Sequence, residues 1–460
     1  MIDFTLPPEV EELAARTRAF VRNVVIPAES PQPGSTRAYG QSCADNRTIA
    51  RSGAPPLVPR VSLRCPRRML KILLILHAPW TRELGLSRCS VELAEEFRAA
   101  GHRVDKFDIR DAFPQQTRLG AFFEDALFAR RAVAFVQRHG SEYDVIQAEQ
   151  GNLPVSRRRL GYDGVLVCRS DGLVHFYLQW LRDRKRGGAR GTEPRGTVLG
   201  SALRSLAARL HGGVEAVDRS FEAADVIVLL NRDELRFVAE RLGHGRKAVL
   251  LPNGLSEERF RALAAGARPA PSRLREQHVV FVGHLSERKG LSDFPALVRE
   301  LRARVPDARF SLVGTGMPAE RVLALFAEED RRHVRAVEWF ASERLPALLA
   351  DATAGVLPSY LEGFPVALLE QLAAAIPSVA YDVPGPRELL EGVSGTLTPA
   401  GDPAALAAQL ARVLGLPEPE YAALAERSQS IAARFRWRDI ARDTLAVYES
   451  ARRGSGTRRG

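Results

Sequence analysis

Lysine is nearly missing from this chain: only five of its 66 basic residues are lysines, at positions 71, 106, 185, 247 and 289. The formal charge of +11 is therefore a compositional skew toward arginine, and it does not point to a nucleic-acid partner. Cysteine is scarce as well. Cys43, Cys65, Cys89 and Cys168 lie far apart with no C-x-x-C pair, which excludes a zinc ribbon and a disulfide framework and fits a reducing cytoplasm. No apolar run reaches the ~18 to 20 residues needed to span a bilayer, and the N-terminus lacks the basic-then-apolar pattern of a signal sequence. Neither G-x-S-x-G nor H-E-x-x-H occurs, so two common hydrolase designs are out. What is present is a chain of 460 residues, 45% hydrophobic and 26% charged, the balance of a globular protein of two or three domains.

Residues 1–68 do not read like the rest. "MIDFTLPPEVEELAARTRAFVRNVVIPAE" has apolar residues near helical spacing and resembles the opening helix of acyl-CoA dehydrogenases. The resemblance stops near Glu29, and the Pro/Gly/Ser/Arg-rich segment that follows has the composition of disorder. A gene fragment, a misassigned start upstream of Met69 and a docking arm are all compatible with this extension.

From Met69 the pattern turns regular. "MLKILLILHAPW" is an apolar run followed by a loop, as in a strand buried on both faces of a parallel sheet. Further strands are expected at "GHRVDKFDI", "YDVIQAE", "GVLVCRS", "DVIVLL" and "KAVLLP", separated by helical stretches. Residues 256–276 break this rhythm with Gly, Ala and Pro and read as a linker. The rhythm restarts at "HVVFVGHL" and runs through "ARFSLVGTG", "VRAVEWF", "AGVLPSY" and "PSVAYDV". The fold class is thus α/β, with two Rossmann-like doubly wound domains, 69–255 and 277–430, facing an interdomain cleft.

The loops after the second domain's strands carry the chemistry. "FVGHLSERKG" places Gly283, His284, Arg288 and Lys289 at a strand-to-helix turn, where two cations and nearby helix amides suit a diphosphate; a solvated loop is the plain alternative. "LVGTG" lacks the third glycine of a dinucleotide fingerprint. In "YDVPGPREL", Gly385 would let the backbone approach a ligand. In "LPSYLEGFPVALLEQLAAA", Pro365 suits a helix start, with Glu362 just before the helix and Glu370 about a turn and a half inside it. At about 100° per residue their carboxylates point to partly different faces, toward separate parts of one bound molecule. Alternatively Glu362 favours the helix dipole and Glu370 reaches the rim.

"PSYLEGFPVALLEQLAAAIPSVAYDVPG" is similar to the E-x7-E region of glycosyltransferase family 4, the retaining GT-B enzymes that use nucleotide sugars. The similarity runs from about Met69 to Tyr448, and "VLLPNGL", "GTLTPAGDPAALAAQLARVL" and "FRWRDIARDTLAVY" fall in the family's order, the last resembling a helix (431–453) that crosses back to the first domain. The resemblance implies a nucleotide-sugar donor in the second domain. Glu370 would accept the ribose hydroxyls, Glu362 with the backbone of Gly363, Phe364 and Pro365 would hold the sugar, and Arg288 and Lys289 would neutralise the leaving diphosphate. No other cofactor is implied, and the lack of a D-x-D sequence fits basic groups in place of a metal.

The chain departs from the family pattern in three places. His284 stands where arginine is common, and Asp171 in "CRSDGLVHFY" stands where histidine is common near the reacting sugar, so that polar role falls to Asp171 or His175. The first loop holds only Gly85 of the usual glycine pair. The acceptor is expected on the first domain, whose basic segment 182–195 could rest on an anionic membrane at ~1 kcal/mol per basic residue or simply be solvated. Two rivals share these motifs: another GT-B enzyme, such as an epimerase, and a non-catalytic sugar-nucleotide binder. A phosphorylase is disfavoured because Lys289, the second domain's one lysine, lies in the diphosphate turn.

Overall fold

Short β-branched and leucine-rich runs, apolar at every position, can bury both faces only when helices cover the sheet on both sides. Two such sheets form in a computed structural model of the protein, which describes residues 68–83, 85–114, 121–186 and 213–456. The first sheet contains β1 (Lys71–Ile75), β2 (Arg103–Phe107), β3 (Val145–Glu149), β4 (Val165–Arg169), β5 (Val226–Leu229) and β6 (Ala248–Leu250), in the order β2-β1-β3-β4-β5-β6. The second contains β7 (His278–Val282), β8 (Arg309–Val313), β9 (Val334–Val337), β10 (Ala354–Leu357), β11 (Ser378–Tyr381) and β12 (Leu397–Thr398), in the order β12-β11-β10-β7-β8-β9. Every pairing is parallel. The two-residue β12 has no apolar run to announce it, and it was not among the expected strands.

Both sheets are doubly wound, so each has a point where the direction of strand progression reverses, between β1 and β3 in the first and between β7 and β10 in the second. Loops leaving the carboxyl ends of strands at such a point diverge and leave a crevice. His77, Glu149, Arg288 and Glu362 all sit on such loops or strand ends. The two lobes belong to one compact unit within Leu57–Gly460.

The segment expected to be a linker is in fact two helices, Glu257–Gly266 and Ala270–Glu276. Ser256 caps the first, its hydroxyl accepting from the N–H of Arg259 at 3.2 Å, with Glu257 and Glu258 in the first turn, where the helix dipole favours them. In the second, Arg273 is buried and donates to the carbonyls of Ala352, Ala374 and Ala375, satisfying the end of a neighbouring helix. The expected flexible segment 182–195 begins inside the helix Val174–Arg186, and its remainder lies outside the described residues. The acyl-CoA-dehydrogenase-like stretch also lies outside them. Among the described residues no helix is long and apolar enough to cross a membrane.

The final helix, Trp437–Gly456, packs on the first lobe, where Trp437, Ile440, Leu445 and Tyr448 join the cluster around Leu74, Phe97 and Val167. Where the chain passes between lobes its two strands bond to each other: Leu255 N–H donates to Phe435 O at 2.9 Å, and Trp437 N–H to Leu255 O at 3.0 Å. Gly254 makes this crossing close, since a Cβ there would lie 2.8 Å from Ile440 Cδ1. The Tyr448 hydroxyl donates to Gln147 Oε1 at 2.6 Å in the buried first-lobe core. Tyr448→Phe should therefore lower stability by about 1–3 kcal/mol, because Gln147 loses its donor without water to replace it. A urea unfolding midpoint equal to that of the wild type would show that the bond carries no net stabilisation.

Candidate active site

Three loops of the second lobe converge on Glu362. After β7 the chain makes a single tight turn, Glu287–Lys289, ended by Gly290 in the left-handed region at φ 81°. A side chain there would be strained and would collide with the carbonyl of Pro358, just past β10. The two loops are also stitched by Tyr360 N–H donating to Arg288 O at 2.9 Å. This contact brings both cations to the carboxylate. Lys289 Nζ donates to Glu362 Oε1, while Arg288 Nη1 donates to Leu361 O at 2.7 Å and lies 3.5 Å from Glu362 Oε2. Glu362 is only 7% exposed. Burial alone would raise its pKa, but the charges of Lys289 and Arg288 and the lysine hydrogen bond outweigh burial and hold it below the ordinary carboxylate value. Glu362 is therefore an anion.

The third loop supplies Gly385, whose N–H donates to Glu362 O at 3.2 Å and whose Cβ, if present, would lie 2.9 Å from Glu362 Cβ. The close approach expected at Gly385 is thus made to Glu362, not left open for a ligand. Gly363 forms the seam with the first lobe: a Cβ there would lie 2.7 Å from Gly172 Cα, and Asn231 Nδ2 donates to its carbonyl at 2.7 Å. Phe364 turns inward against Phe435, and Pro365 sits one residue outside the helix Val366–Ala373, at its N-cap.

Glu370 lies in the second turn of that helix and is 2% exposed. Its Oε1 accepts from Arg259 Nε at 3.0 Å and Nη2 at 2.8 Å, and lies 3.2 Å from Arg88 Nη2. Neither arginine was anticipated. In so arginine-rich a chain no single arginine stands out, although Gly85, expected on the acceptor side, does open the helix Gly85–Ala99 that carries Arg88. Gly85 itself is exposed with nothing near it.

Across the seam lies Asp171. Gln150 Nε2 donates to Asp171 Oδ1 and to Gly172 O, both at 2.6 Å. Burial raises the Asp171 pKa despite that bond. Its neighbour Glu149, which accepts from the N–H of His77 at 3.0 Å, is pushed up to about 8 by burial and then by the charge of Asp171. Burial, with the charge of Asp171, thus favours the protonated form of Glu149. His175 has a different setting. Its Nε2 lies 2.9 Å from Asp218 Oδ1, its ring packs 5.4 Å from that of Phe237, and burial lowers its pKa in spite of Asp218. It belongs to the packing of its own lobe, so of the two candidates only Asp171 reaches the seam. His284 is exposed, and its ring covers Gly316 without joining the cation pair.

A cleft of about 800 Å³ opens beside Leu361. Phe176, Trp180 and Arg184 line it from the first lobe, and Glu287, Asp293 and Tyr360 from the second. Asp293 Oδ2 accepts from the hydroxyls of Tyr360 and Tyr381, each at 2.8 Å. Arg184 with Glu287 at 3.0 Å and Arg387 with Asp233 at 2.6 Å tie its walls across the lobes.

Residues 276–415 match the family described as glycosyl transferases group 1. The chain is similar to glycogen synthase of Mycobacterium tuberculosis, 30% identical over 224 residues, which are 47% of this chain and 52% of that protein. It is also similar to D-inositol 3-phosphate glycosyltransferase of Mycobacterium avium, 33% identical over 193 residues, 40% of this chain and 45% of that one. The chain spans about half the length of the curated relatives it matches. Among solved structures, sucrose-phosphate synthase from Thermosynechococcus elongatus superposes with a TM-score of 0.63 at 19% identity, covering 83% of this chain and 99% of that one. HepE of Anabaena, in complex with UDP, gives 0.55 at 18% identity over 83% of this chain and 100% of that one. At such identities the structures speak for the fold. The chain thus has the GT-B fold, and its residues 276–415 match the glycosyl transferases group 1 family.

Proposed function

We propose that this chain is a retaining glycosyltransferase that moves a sugar from a nucleotide sugar to an acceptor held against the first lobe. The observation that carries this reading is the buried, ionised Glu362 fixed between Lys289 and Arg288 where the lobes meet. Arg288 and Lys289 together exceed the charge of Glu362 by one, and Glu287 of the same turn is paired with Arg184 at 3.0 Å, so a net positive charge remains. When the bond between the sugar's anomeric carbon and the donor phosphate breaks, negative charge grows on the departing nucleoside diphosphate. Cations held in place beforehand stabilise that charge without first having to reorganise. Glu362 keeps them in place and, with the backbone of Gly363 to Pro365, faces the sugar. Glu370, eight residues on, addresses the ribose. From the first lobe, Asp171, held by Gln150, can accept a hydrogen bond from a sugar hydroxyl. The retaining outcome rests on the resemblance to the family, as does the absence of a protein nucleophile from this scheme.

Slow hydrolysis of the donor tests the reading without knowledge of the acceptor. The full chain, incubated with UDP-glucose, ADP-glucose and GDP-mannose, should release a nucleoside diphosphate from at least one of them. Lys289→Met should lower that release on the order of 100-fold or more, the scale of losing one preorganised electrostatic group, with the circular dichroism spectrum unchanged. Release at the wild-type rate from Lys289→Met would remove the diphosphate role.

The acid pair predicts a pH dependence with a definite sign. The Glu149 carboxyl is pushed up to about 8, so its protonated form persists through neutrality and is lost as pH rises past that value, which sets a second negative charge beside Asp171. Donor hydrolysis should therefore fall on the alkaline side. Glu149→Gln, which stays neutral at all pH values, should retain neutral activity and flatten the alkaline fall. An unchanged alkaline limb in that variant would place the titration elsewhere.

A further inference from the structure

The hydrogen bonds around Glu370 are lopsided. All three arginine nitrogens that reach it, Arg259 Nε and Nη2 and Arg88 Nη2, go to the single oxygen Oε1. No described residue hydrogen-bonds to Oε2. A plain structural ion pair between arginine and a carboxylate tends to use both oxygens, fork to fork. Here one oxygen is saturated while the other keeps its lone pairs free. The arginines are themselves anchored: Arg259 Nη1 donates to Ser342 O at 2.6 Å, Arg88 Nη1 donates to Ser342 Oγ at 3.4 Å, and the Arg259 N–H is fixed by the Ser256 cap. The three parts come from separate places: the first lobe's helix Gly85–Ala99, the helix Glu257–Gly266 and the second lobe's helix Val366–Ala373.

Resting on the proposed function, we infer that Arg259 and Arg88 are positioning residues for the ribose of a bound nucleotide. They hold Glu370 by one oxygen and so aim the other at the ribose hydroxyls. Arg259 sets the orientation. Arg88, arriving from the first lobe, completes the hold only when the lobes are closed, so the ribose site is finished by closure.

A ribose-specific readout separates this role from general support of the fold. The full chain is titrated calorimetrically with UDP, ADP and GDP, and then with the 2′,3′-dideoxy counterpart of the one that binds best. The wild type should prefer the ribonucleotide by roughly 10- to 100-fold, the scale of hydrogen bonds to a charged group. Arg259→Lys keeps the charge and loses the two-nitrogen grip; its preference should fall below about threefold on that same scale, while affinity for the dideoxy form hardly changes. Arg88→Lys should lower the preference part of the way. If the variants keep the wild-type preference, or lose affinity for both nucleotides alike, the positioning role is overturned and the arginines are structural. A wild type that binds but shows no preference overturns the inference and leaves the transferase reading standing, whereas failure to bind any of the three nucleotides removes both.

Discussion

An ionised carboxylate with almost no access to water has to be given cations, and Glu362 imposes that requirement on everything around it. Breaking a buried pair by removing one partner costs several kcal/mol, because the other charge stays buried. The turn after β7 and the loop after β10 therefore have to behave as one piece. The left-handed Gly290 pressed against Pro358, the bond from Tyr360 N–H to Arg288 O, and the bond from Arg288 to Leu361 O make them so. Strand order explains why these loops are available to each other: β7 and β10 are neighbours in the sheet although far apart in the chain. The chemistry of the turn is a consequence of the topology.

The lobes meet through a different set of forces. Their seam is made of backbone approach at Gly172 and Gly363, the Asn231 bond to Gly363 O, and ion pairs such as Arg387 with Asp233 and Arg184 with Glu287. Polar seams of this kind exchange readily with water, and partly exposed pairs add little net stability. At the crossing the backbone of Leu255 bonds instead to that of Phe435 and Trp437, and the last helix buries Trp437 and Tyr448 in the apolar core of the first lobe.

Most strands were legible because a run such as "KILLI" has no polar face to leave in water. The helices at 257–276 are hidden for a local reason: Gly, Ala and Pro suggest a linker, although the segment also carries the Ser-Glu-Glu start of a capped helix. Glu362, Glu370, Arg288 and Lys289 could be picked out because the spacing of the first two and the turn around the others are local features. Their partners could not, since Arg259 and Glu370 are 111 residues apart and meet only through the fold. Gly385 suggests a close approach to a ligand, and in the fold the approach that its missing Cβ permits is to Glu362. Asp171 and His175 are four residues apart, yet one lies before a helix and faces the seam, while the other lies on the helix and turns to Asp218.

The two glutamates differ in where their cations come from. Both Glu362 partners stand in the second lobe, so the end of the site built around Glu362 is complete whatever the first lobe does. Glu370 draws on the helix that leads out of the hinge and on the first lobe itself. In the proposed function, sugar and diphosphate would meet a standing site and the ribose a site finished by closure. Closure would then report on the nucleotide, since only a ligand long enough to reach from Glu362 to Glu370 touches both the permanent and the assembled end. In that reading the same movement would bring the first lobe's Asp171 to the sugar, tying the group proposed to face it to recognition of the ribose.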